Sequence, residues 1–277
     1  MTPIAGSELE ERIASFPWWY YRFEFDGGAR TPVLSQESVN RAEQLHRYLF
    51  DALLGLTGGS LRGLRVLDLG CNAGLWSLRA IEAGAEFVLG IDSLQMAIEQ
   101  AQLVFEAKGV APERYRFEHR DLFAGELDER FDVVLCLDLL DQVARPVELF
   151  ELMARSGAEL ILIETSLTPV RYSYFELRHL EDALTAVDDR LVLVPSREAV
   201  VELAAELGFQ TAPLAHRFED HLGLEDYRRG RRLAFLCAKQ APLDGLALAG
   251  EHRELPWWLR LPAAGARGLG ARLRRRA

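Results

Sequence analysis

A short apolar run that ends in a glycine-rich turn has the residue types and spacing best suited to chemistry. Residues 66–69 are followed by Gly70, Asn72 and Gly74, so that Asp68 begins an Asp-x-Gly-x-x-x-Gly pattern. Glycine lacks a Cβ atom, so the backbone can turn sharply beside a ligand while the next helix points its first N–H groups toward it. The Gly-x-Gly-x-x-Gly fingerprint of dinucleotide sites fits neither register. The pattern therefore predicts a nucleoside-binding turn with no requirement for a phosphate.

Two further acids stand where later strands are predicted to end. Asp92 lies 24 residues after Asp68, where a carboxylate can accept hydrogen bonds from both hydroxyls of a ribose. Asp121 follows the third predicted strand and could accept a bond from an adenine amino group, with the Leu122 N–H facing the ring. The alternatives are a helix N-cap for Asp92 and a turn acid for Asp121. The convergence of three acids at one sheet edge favours the binding roles.

Strand-like and helix-like segments alternate from Leu64 onward, which is typical of a parallel sheet covered by helices on both faces. The predicted strands are 64–69, 86–91, 115–120, 131–137, 159–164, 209–216 and 232–239. The predicted helices are 75–83, 93–108, 146–156 and 196–207, with Pro146 at a first turn, Ser196 as an N-cap and Gly208 as a stop. The predicted fold is a doubly wound α/β, Rossmann-like sheet of seven strands.

Segments outside this alternation divide the chain further. Residues 1–60 are predicted to form an extension with a strand over 21–25, a turn at Gly27 and Gly28, and a helix with an apolar stripe from Val39 to Leu53. Residues 61–240 form the main domain, in which the long segment 165–195 is predicted to be a substrate-binding lid; an ordinary helical insertion is the alternative. Residues 241–277 are predicted to be an arginine-rich, solvated tail.

Taken together, these motifs resemble the class I S-adenosylmethionine-dependent methyltransferases. The resemblance covers residues 61–240 and rests on 66–74, 90–93, 120–122 and 131–134. It implies a seven-stranded sheet whose last strand is antiparallel, with Gly70 and the neighbouring backbone at the amino-acid part of the cofactor and Asp138 facing the sulfonium. The predicted S-adenosyl-L-methionine site comprises Asp68, Gly70, Cys71, Asn72, Gly74, Asp92, Ser93, Asp121, Leu122 and Asp138.

A second, patchier resemblance is to the tRNA wobble-uridine carboxymethyltransferases and their relatives. It rests on Pro-Trp-Trp-Tyr-Tyr at 17–21, on 26–28 and on the segments 194–196 and 207–209. That family tends to carry Leu-Tyr-His after the fourth strand, where this chain has Leu140, Asp141 and Gln142. A carboxylate at 141 would repel a carboxylated cofactor, so this substitution favours ordinary S-adenosylmethionine.

The candidate catalytic residues are Asp141, Asp138 and Tyr172. Methyl transfer is an in-line displacement at an already activated sulfonium, so the protein mainly aligns the acceptor and excludes water. A base within hydrogen-bond reach would help a hydroxyl acceptor, and Asp141 is the first candidate. The histidines show no His-x-x-x-His pair with a nearby carboxylate, so no metal is expected.

Composition narrows the function classes. The net charge is −10, with about +5 in residues 251–277 and −15 in the rest, and an acidic body is a poor general phosphate binder. The three cysteines are widely separated and are expected to be buried, reduced thiols. The chain has neither a signal-peptide pattern nor a long apolar run, so a cytoplasmic location without stable membrane insertion is expected.

Three functions fit these observations. The first is methylation of a small-molecule acceptor at oxygen or nitrogen. The second is tRNA modification, supported by the partial resemblance and the arginine tail. The third is a non-catalytic partner that holds the cofactor. The residues do not predict the acceptor or the oligomeric state.

Overall fold

The computed structural model describes residues 6–179 and 191–249, which contain a seven-stranded sheet and a separate two-stranded hairpin. The strands are β1 (Arg65–Leu69), β2 (Phe87–Asp92), β3 (Tyr115–His119), β4 (Val133–Leu137), β5 (Leu160–Ser166), β6 (Phe175–His179), β7 (Leu191–Pro195), β8 (Gln210–Pro213) and β9 (Arg232–Ala238). The sheet order is β3-β2-β1-β4-β5-β9-β8. The first five strands run parallel, and β9 is antiparallel to both β5 and β8. The predicted sheet with an antiparallel last strand is confirmed.

The described residues contain seven α-helices. They are α1 (Gly6–Ala14), α2 (Gln36–Leu56), α3 (Leu75–Glu82), α4 (Gln95–Ala107), α5 (Pro146–Arg155), α6 (Arg197–Glu206) and α7 (Glu225–Arg228). Local signals explain several ends. Pro146 opens α5, where a missing N–H costs nothing, and the Ser196 side chain accepts a hydrogen bond from the Ala199 N–H at the start of α6. Gly208 follows α6 with a φ of 83°, which favours glycine.

Alternate strand residues pack into two apolar layers, one on each face of the sheet. Along β1, Val66 belongs to the layer covered by α2, α3 and α4, whereas Leu67 and Leu69 belong to the layer covered by α5 and α6. This period-two alternation in a strand with two buried faces explains why β1 reads as a continuous apolar run. Cys71, Cys136 and Cys237 are buried free thiols, as predicted. No helix within the described residues is long and apolar enough to cross a membrane.

The segments outside the main alternation differ in part from the sequence prediction. Residues 21–25 do not form a strand: a turn at Gly27 and Gly28 leaves only a single bridge between Glu24 and Arg30. The helices α1 and α7 were not predicted, whereas α2 to α6 lie where the sequence predicts helices. In the described part of 165–195, β6 and β7 pair as antiparallel strands, which differs from the alternative of a helical insertion, and the substrate-binding lid stays a prediction. The predictions for residues 180–190 and 250–277 lie outside the described residues, and the domain boundaries stay predictions.

Candidate functional site

The glycine-rich turn lies at the carboxyl end of β1. The N–H groups of Gly70 and Cys71 both donate to the Ile91 carbonyl, which ties the turn to β2. Gly70, Asn72 and Gly74 all adopt positive φ (70°, 47° and 77°), so the chain reverses tightly before α3 begins. A left-handed asparagine is uncommon, and here its side-chain oxygen accepts the Ala73 N–H. The turn is therefore a pre-formed element of the sheet edge.

Asp68 points into the protein rather than into the open edge of the sheet. Its carboxylate is almost fully buried and accepts a 2.6 Å hydrogen bond from the Ser77 hydroxyl on α3. Burial raises the pKa of Asp68 to about 7, against the hydrogen bonds from Ser77 that lower it. The motif acid thus anchors α3 against β1 and holds a proton that is easily lost near neutral pH.

Asp92 ends β2 and supports the turn directly. One carboxylate oxygen accepts the Asn72 N–H and the other accepts the Leu94 N–H, each at 2.8 Å. Each oxygen keeps a second lone pair for another donor. Burial raises the pKa of Asp92. The structure therefore brings the first and second predicted motifs together at one carboxylate.

The residues of the third predicted motif are more exposed to solvent than those of the first two. Asp121 is 60% exposed in its side chain, accepts the Phe123 N–H, and lies 3.9 Å from Arg145. Leu122 is buried beneath it. Ser93 is exposed, and its carbonyl oxygen lies 3.0 Å from Nε2 of His119. Asp121 thus has the geometry of a turn acid, with one oxygen available at the surface of this edge.

A pocket that is open to solvent adjoins this edge at the carboxyl end of β4. The N-terminal extension, α2, α3, β4 and β5 contribute its walls: Tyr20, Tyr21, Ser38, Arg41, Ala42, Leu45, Leu49, Trp76, Leu137, Asp138 and Glu164. Among the N-terminal aromatics, Trp19 and Phe23 are core residues, whereas Tyr20 and Tyr21 face the pocket. Burial and the Asp138 charge raise the pKa of Tyr20 to about 12, so its hydroxyl stays protonated.

Arg232, at the start of β9, organises the acids behind this pocket. Its Nη1 donates to Asp138 Oδ1 at 2.7 Å and to Glu164 Oε2 at 2.9 Å. Its Nη2 donates to the Ser166 hydroxyl at 2.7 Å and to Asp141 Oδ2 at 3.3 Å. We call Arg232 and its partners Asp138, Asp141, Glu164 and Asp226 the arginine-centred cluster.

This cluster changes the interpretation of Asp141. The residue does not line the pocket: its side chain is only 10% exposed, and it accepts bonds from both Thr165 and Arg232. A compensated carboxylate repels an anion far less than a free one, so the argument from Asp141 against a carboxylated cofactor does not hold. Its bound oxygens also make it a poor general base.

Tyr172 is not brought to the pocket. Its side chain is 64% exposed, and its carbonyl oxygen accepts a bond from the Ser196 hydroxyl. The β6–β7 hairpin nevertheless lies beside the site, because the Leu193 N–H donates to the Val143 carbonyl just after Leu140–Gln142. Of the three predicted catalytic residues, Asp138 alone lines the pocket.

Comparison with known proteins identifies the kind of domain to which this edge of the sheet belongs. Residues 60–183 match the family model described as a methyltransferase domain. Two curated relatives are ubiquinone biosynthesis O-methyltransferases, from Pseudomonas fluorescens (33% identical over 42% of this chain and 50% of the relative) and Bordetella pertussis (39% over 32% and 36%). Residues 60–183 therefore belong to a methyltransferase domain. The chain spans half or less of the length of these relatives.

The methyltransferase domain also has structural neighbours. The crystal structure of the N-terminal domain of EvdMO1, obtained in the presence of SAH and D-fucose, superposes with a TM-score of 0.65 at 20% identity and covers 87% of this chain and 98% of that one. At this identity the likeness concerns the fold. It extends beyond the 60–183 match and so includes most of the described chain.

The residues at this edge of the methyltransferase domain fit S-adenosylmethionine. A ribose presents hydroxyl donors, and Asp92 retains acceptor lone pairs beside a turn that has no bulky side chain at Gly70. The sulfonium is a cation, and Asp138 offers a carboxylate at the carboxyl end of the adjacent strand. The side chains that would contact the ligand here are carboxylates. Carboxylates suit a cationic nucleoside and not the pyrophosphate of a dinucleotide.

Arg41, Trp76, Glu164 and Arg232 were missed in the sequence. Two signals were present: Glu164 is the only acid in the second half of an otherwise apolar strand, and Arg232 is the first residue of the last strand. Because β9 is antiparallel, its first residue lies beside the carboxyl ends of the parallel strands, in register with Ser166. An antiparallel assignment therefore predicts Arg232 at the site.

Proposed function

We propose that this protein transfers a methyl group from S-adenosylmethionine to an oxygen or nitrogen atom of a small-molecule acceptor. The observation that carries the proposal is the position of Asp138, which directly follows β4 beside the glycine-rich turn and also lines the pocket. A cofactor site and an acceptor pocket thus share one residue. The O-methyltransferase names of the curated relatives support the same reaction class.

Different residues of the chain would bind different parts of the cofactor, and others would shield the acceptor. When bound, S-adenosylmethionine supplies an electrophilic methyl group on a sulfonium. Asp92 would hold the ribose, the turn at Gly70 would support the amino-acid part, and Asp121 with Leu122 would lie at the adenine. Tyr21, Leu45 and Trp76 would exclude water from the acceptor, which strengthens polar interactions inside the pocket.

The first experiment is calorimetric titration of the full chain with S-adenosylmethionine, its carboxylated derivative and NAD. Tightest binding of S-adenosylmethionine supports the proposal, and S-adenosylhomocysteine release with a pool of small hydroxylated and amino compounds would extend it to catalysis. Binding of S-adenosylmethionine without any turnover would favour the alternative of a non-catalytic partner that holds the cofactor. Tightest binding of the carboxylated derivative would support the wobble-uridine alternative, and a preference for NAD would overturn the cofactor assignment.

Replacing the carboxylate at the end of β2 tests the ribose assignment. We expect Asp92→Ala to weaken S-adenosylmethionine binding by about 1–3 kcal/mol, or roughly 5- to 150-fold, because ribose bonds and the supports of the turn are both lost. Asp92→Asn keeps one acceptor oxygen and should lose less. Glu113→Ala, an exposed acid before β3 at the opposite end of the sheet, is the matched control. Unchanged affinity in a folded Asp92→Ala protein would contradict the assignment.

A further inference from the structure

The β6–β7 hairpin concentrates exposed apolar side chains. Eight large apolar side chains are exposed in the described residues, and four of them lie on this hairpin or directly before it. These four are Tyr172 (64%), Tyr174 (42%), Leu177 (63%) and Leu191 (41%). Single exposed apolar residues are ordinary on a protein surface, whereas several at one place are typical of an interaction site. The hairpin is therefore a candidate interaction surface.

The outer edge of β6 has backbone groups available for pairing. Among the described strands β6 pairs with β7 alone, and Leu177 lies opposite Leu193 in that pair. The Leu193 N–H donates to the Val143 carbonyl and so points away from β6, which makes Leu177 and Leu193 a non-hydrogen-bonded pair. The N–H and C=O groups of Phe175, Leu177 and His179 therefore face outward. None of the backbone hydrogen bonds between described residues uses them.

The charges on β6 are complementary to those on a second copy of the same strand. Glu176 and Arg178 flank Leu177, share one face of the hairpin and are joined by a 2.8 Å hydrogen bond. The Arg178 guanidinium lowers the pKa of Glu176, so both groups are charged at neutral pH. When two copies of β6 pair antiparallel about Leu177, Glu176 lies opposite Arg178 of the partner subunit.

This opposition falls at a favourable place in the ladder. Glu176 and Arg178 direct their backbone groups toward β7, so across the outer edge they occupy non-hydrogen-bonded positions, where opposed side chains are closest. Each carboxylate would then have one guanidinium from its own chain and one from the partner. The four charges alternate in sign around a closed ring.

Another open edge, that of β3, lacks the apolar part of this arrangement. It carries Arg116 and Glu118 two residues apart, joined by a 2.8 Å hydrogen bond, and so has a similar pair of charges. The residue between them, Phe117, is already packed in the core and only 8% exposed, whereas Leu177 between Glu176 and Arg178 is largely exposed. Pairing about β6 would remove an apolar side chain of each copy from water, and pairing about β3 would not.

We propose that the outer edge of β6 pairs with the same strand of a second copy of this chain. The two hairpins would form one antiparallel sheet in the order β7-β6-β6-β7, with a twofold axis between the two copies of Leu177. Leu177 would exchange both backbone hydrogen bonds with Leu177 of the partner subunit and pack against its side chain. A strand of five residues buries a small area, so we expect reversible association at micromolar concentrations and not a permanent dimer.

Sedimentation velocity of the full chain at about 1–100 μM tests the proposal. We expect the sedimentation coefficient to rise from that of a monomer toward that of a dimer as the concentration increases. Glu176→Arg and Arg178→Glu each place like charges opposite one another across the twofold axis, so each variant should dimerise about tenfold or more weakly. Leu177→Lys places two ammonium groups at the axis and should act in the same direction.

A mixture of the two charge variants separates the interface from the ion pair within each chain. In a heterodimer of Glu176→Arg with Arg178→Glu, each arginine at positions 176 and 178 faces a glutamate of the other subunit, although the ion pair within each chain stays broken. The mixture should therefore form dimers at concentrations where neither variant does so alone. The double variant Glu176→Arg/Arg178→Glu should dimerise like the parent protein. Glu118→Arg breaks the matched pair on β3 and should leave dimerisation unchanged.

The contrary outcomes are equally clear. A monomer at every concentration up to about 100 μM would overturn the proposal. Dimers that persist in folded Glu176→Arg, Arg178→Glu and Leu177→Lys proteins, with folding checked by circular dichroism, would overturn the assignment to β6. Loss of the dimer in Glu118→Arg would assign the interface to β3 instead. Failure of the mixture to restore dimers would show that the charges at 176 and 178 do not face each other across subunits.

Discussion

Replacing Arg232 by methionine should lower the free energy of unfolding by about 3–5 kcal/mol at pH 8. The guanidinium lies among Asp138, Asp141 and Glu164, and removing it leaves the buried carboxylates of Asp141 and Glu164 and the partly exposed Asp138 without their shared cation. The measurement is urea unfolding followed by circular dichroism. Because the cost comes from buried negative charge, we expect the deficit to shrink as the pH falls and the carboxylates take up protons.

Two further variants test whether the destabilisation comes from the arginine-centred cluster or would follow the loss of any arginine. Arg155→Met removes a largely exposed partner of Glu151 on α5 and should cost well under about 1 kcal/mol. Adding Glu164→Gln to Arg232→Met should recover part of the loss by removing one uncompensated charge. A deficit as small as that of Arg155→Met would mean that the acids are hydrated or neutral without Arg232.

Local signals in the sequence predict most of the fold. The Ser196 cap, Pro146 and Gly208 each act within a few residues, so they mark helix ends without knowledge of distant parts of the chain. Alternation of apolar strands and amphipathic helices then leaves few topologies for a parallel sheet. The segment 21–25 shows the limit: its alternating aromatics suit a strand, but they pack around a tight turn and meet no other strand.

The site is less predictable because its decisive contacts are long-range. Asp92 and Asn72 are 20 residues apart and belong to one strand–helix–strand unit formed by β1, α3 and β2, so the parallel pairing of these neighbouring strands brings them together. Arg232 and Asp138 are 94 residues apart, and their pairing depends on the antiparallel register of β9. Without knowledge of that register, the sequence suggests that Asp141 is a catalytic acid with no ion-pair partner. The antiparallel strand converts it into a bound partner of an arginine.

Asp68 should make the protein less stable as the pH rises from about 4 to about 7. Burial raises its pKa from 3.8 to about 7, so in this range the folded state holds a proton that the unfolded state has released. The contribution is fully favourable below pH 4 and is lost as the pH passes through the folded-state value. A shift of this size corresponds to about 4 kcal/mol.

Asp68→Asn isolates this contribution because it keeps an oxygen that can accept the Ser77 hydrogen bond but carries no ionisable group. We expect the variant to match the parent protein near pH 4 and to exceed its stability by about 4 kcal/mol at pH 8, measured by urea unfolding at both values. Glu113→Gln should change stability by less than about 0.5 kcal/mol at either pH. Equal stabilities of Asp68→Asn and the parent protein at pH 8 would show that the buried carboxylate ionises freely.

Carbon-13 NMR of the Asp68 carboxyl group follows the same proton directly and connects it to the proposed cofactor. Without ligand, we expect a titration midpoint near the value of about 7 that burial produces. Saturation with S-adenosylmethionine would place a cation near the carboxyl end of β1 and should lower the midpoint by about one unit, because a nearby positive charge favours the carboxylate. S-adenosylhomocysteine lacks the sulfonium charge and should lower it less. A midpoint that neither ligand moves would leave Asp68 as an anchor of α3 alone and place the charged part of the cofactor beyond its reach.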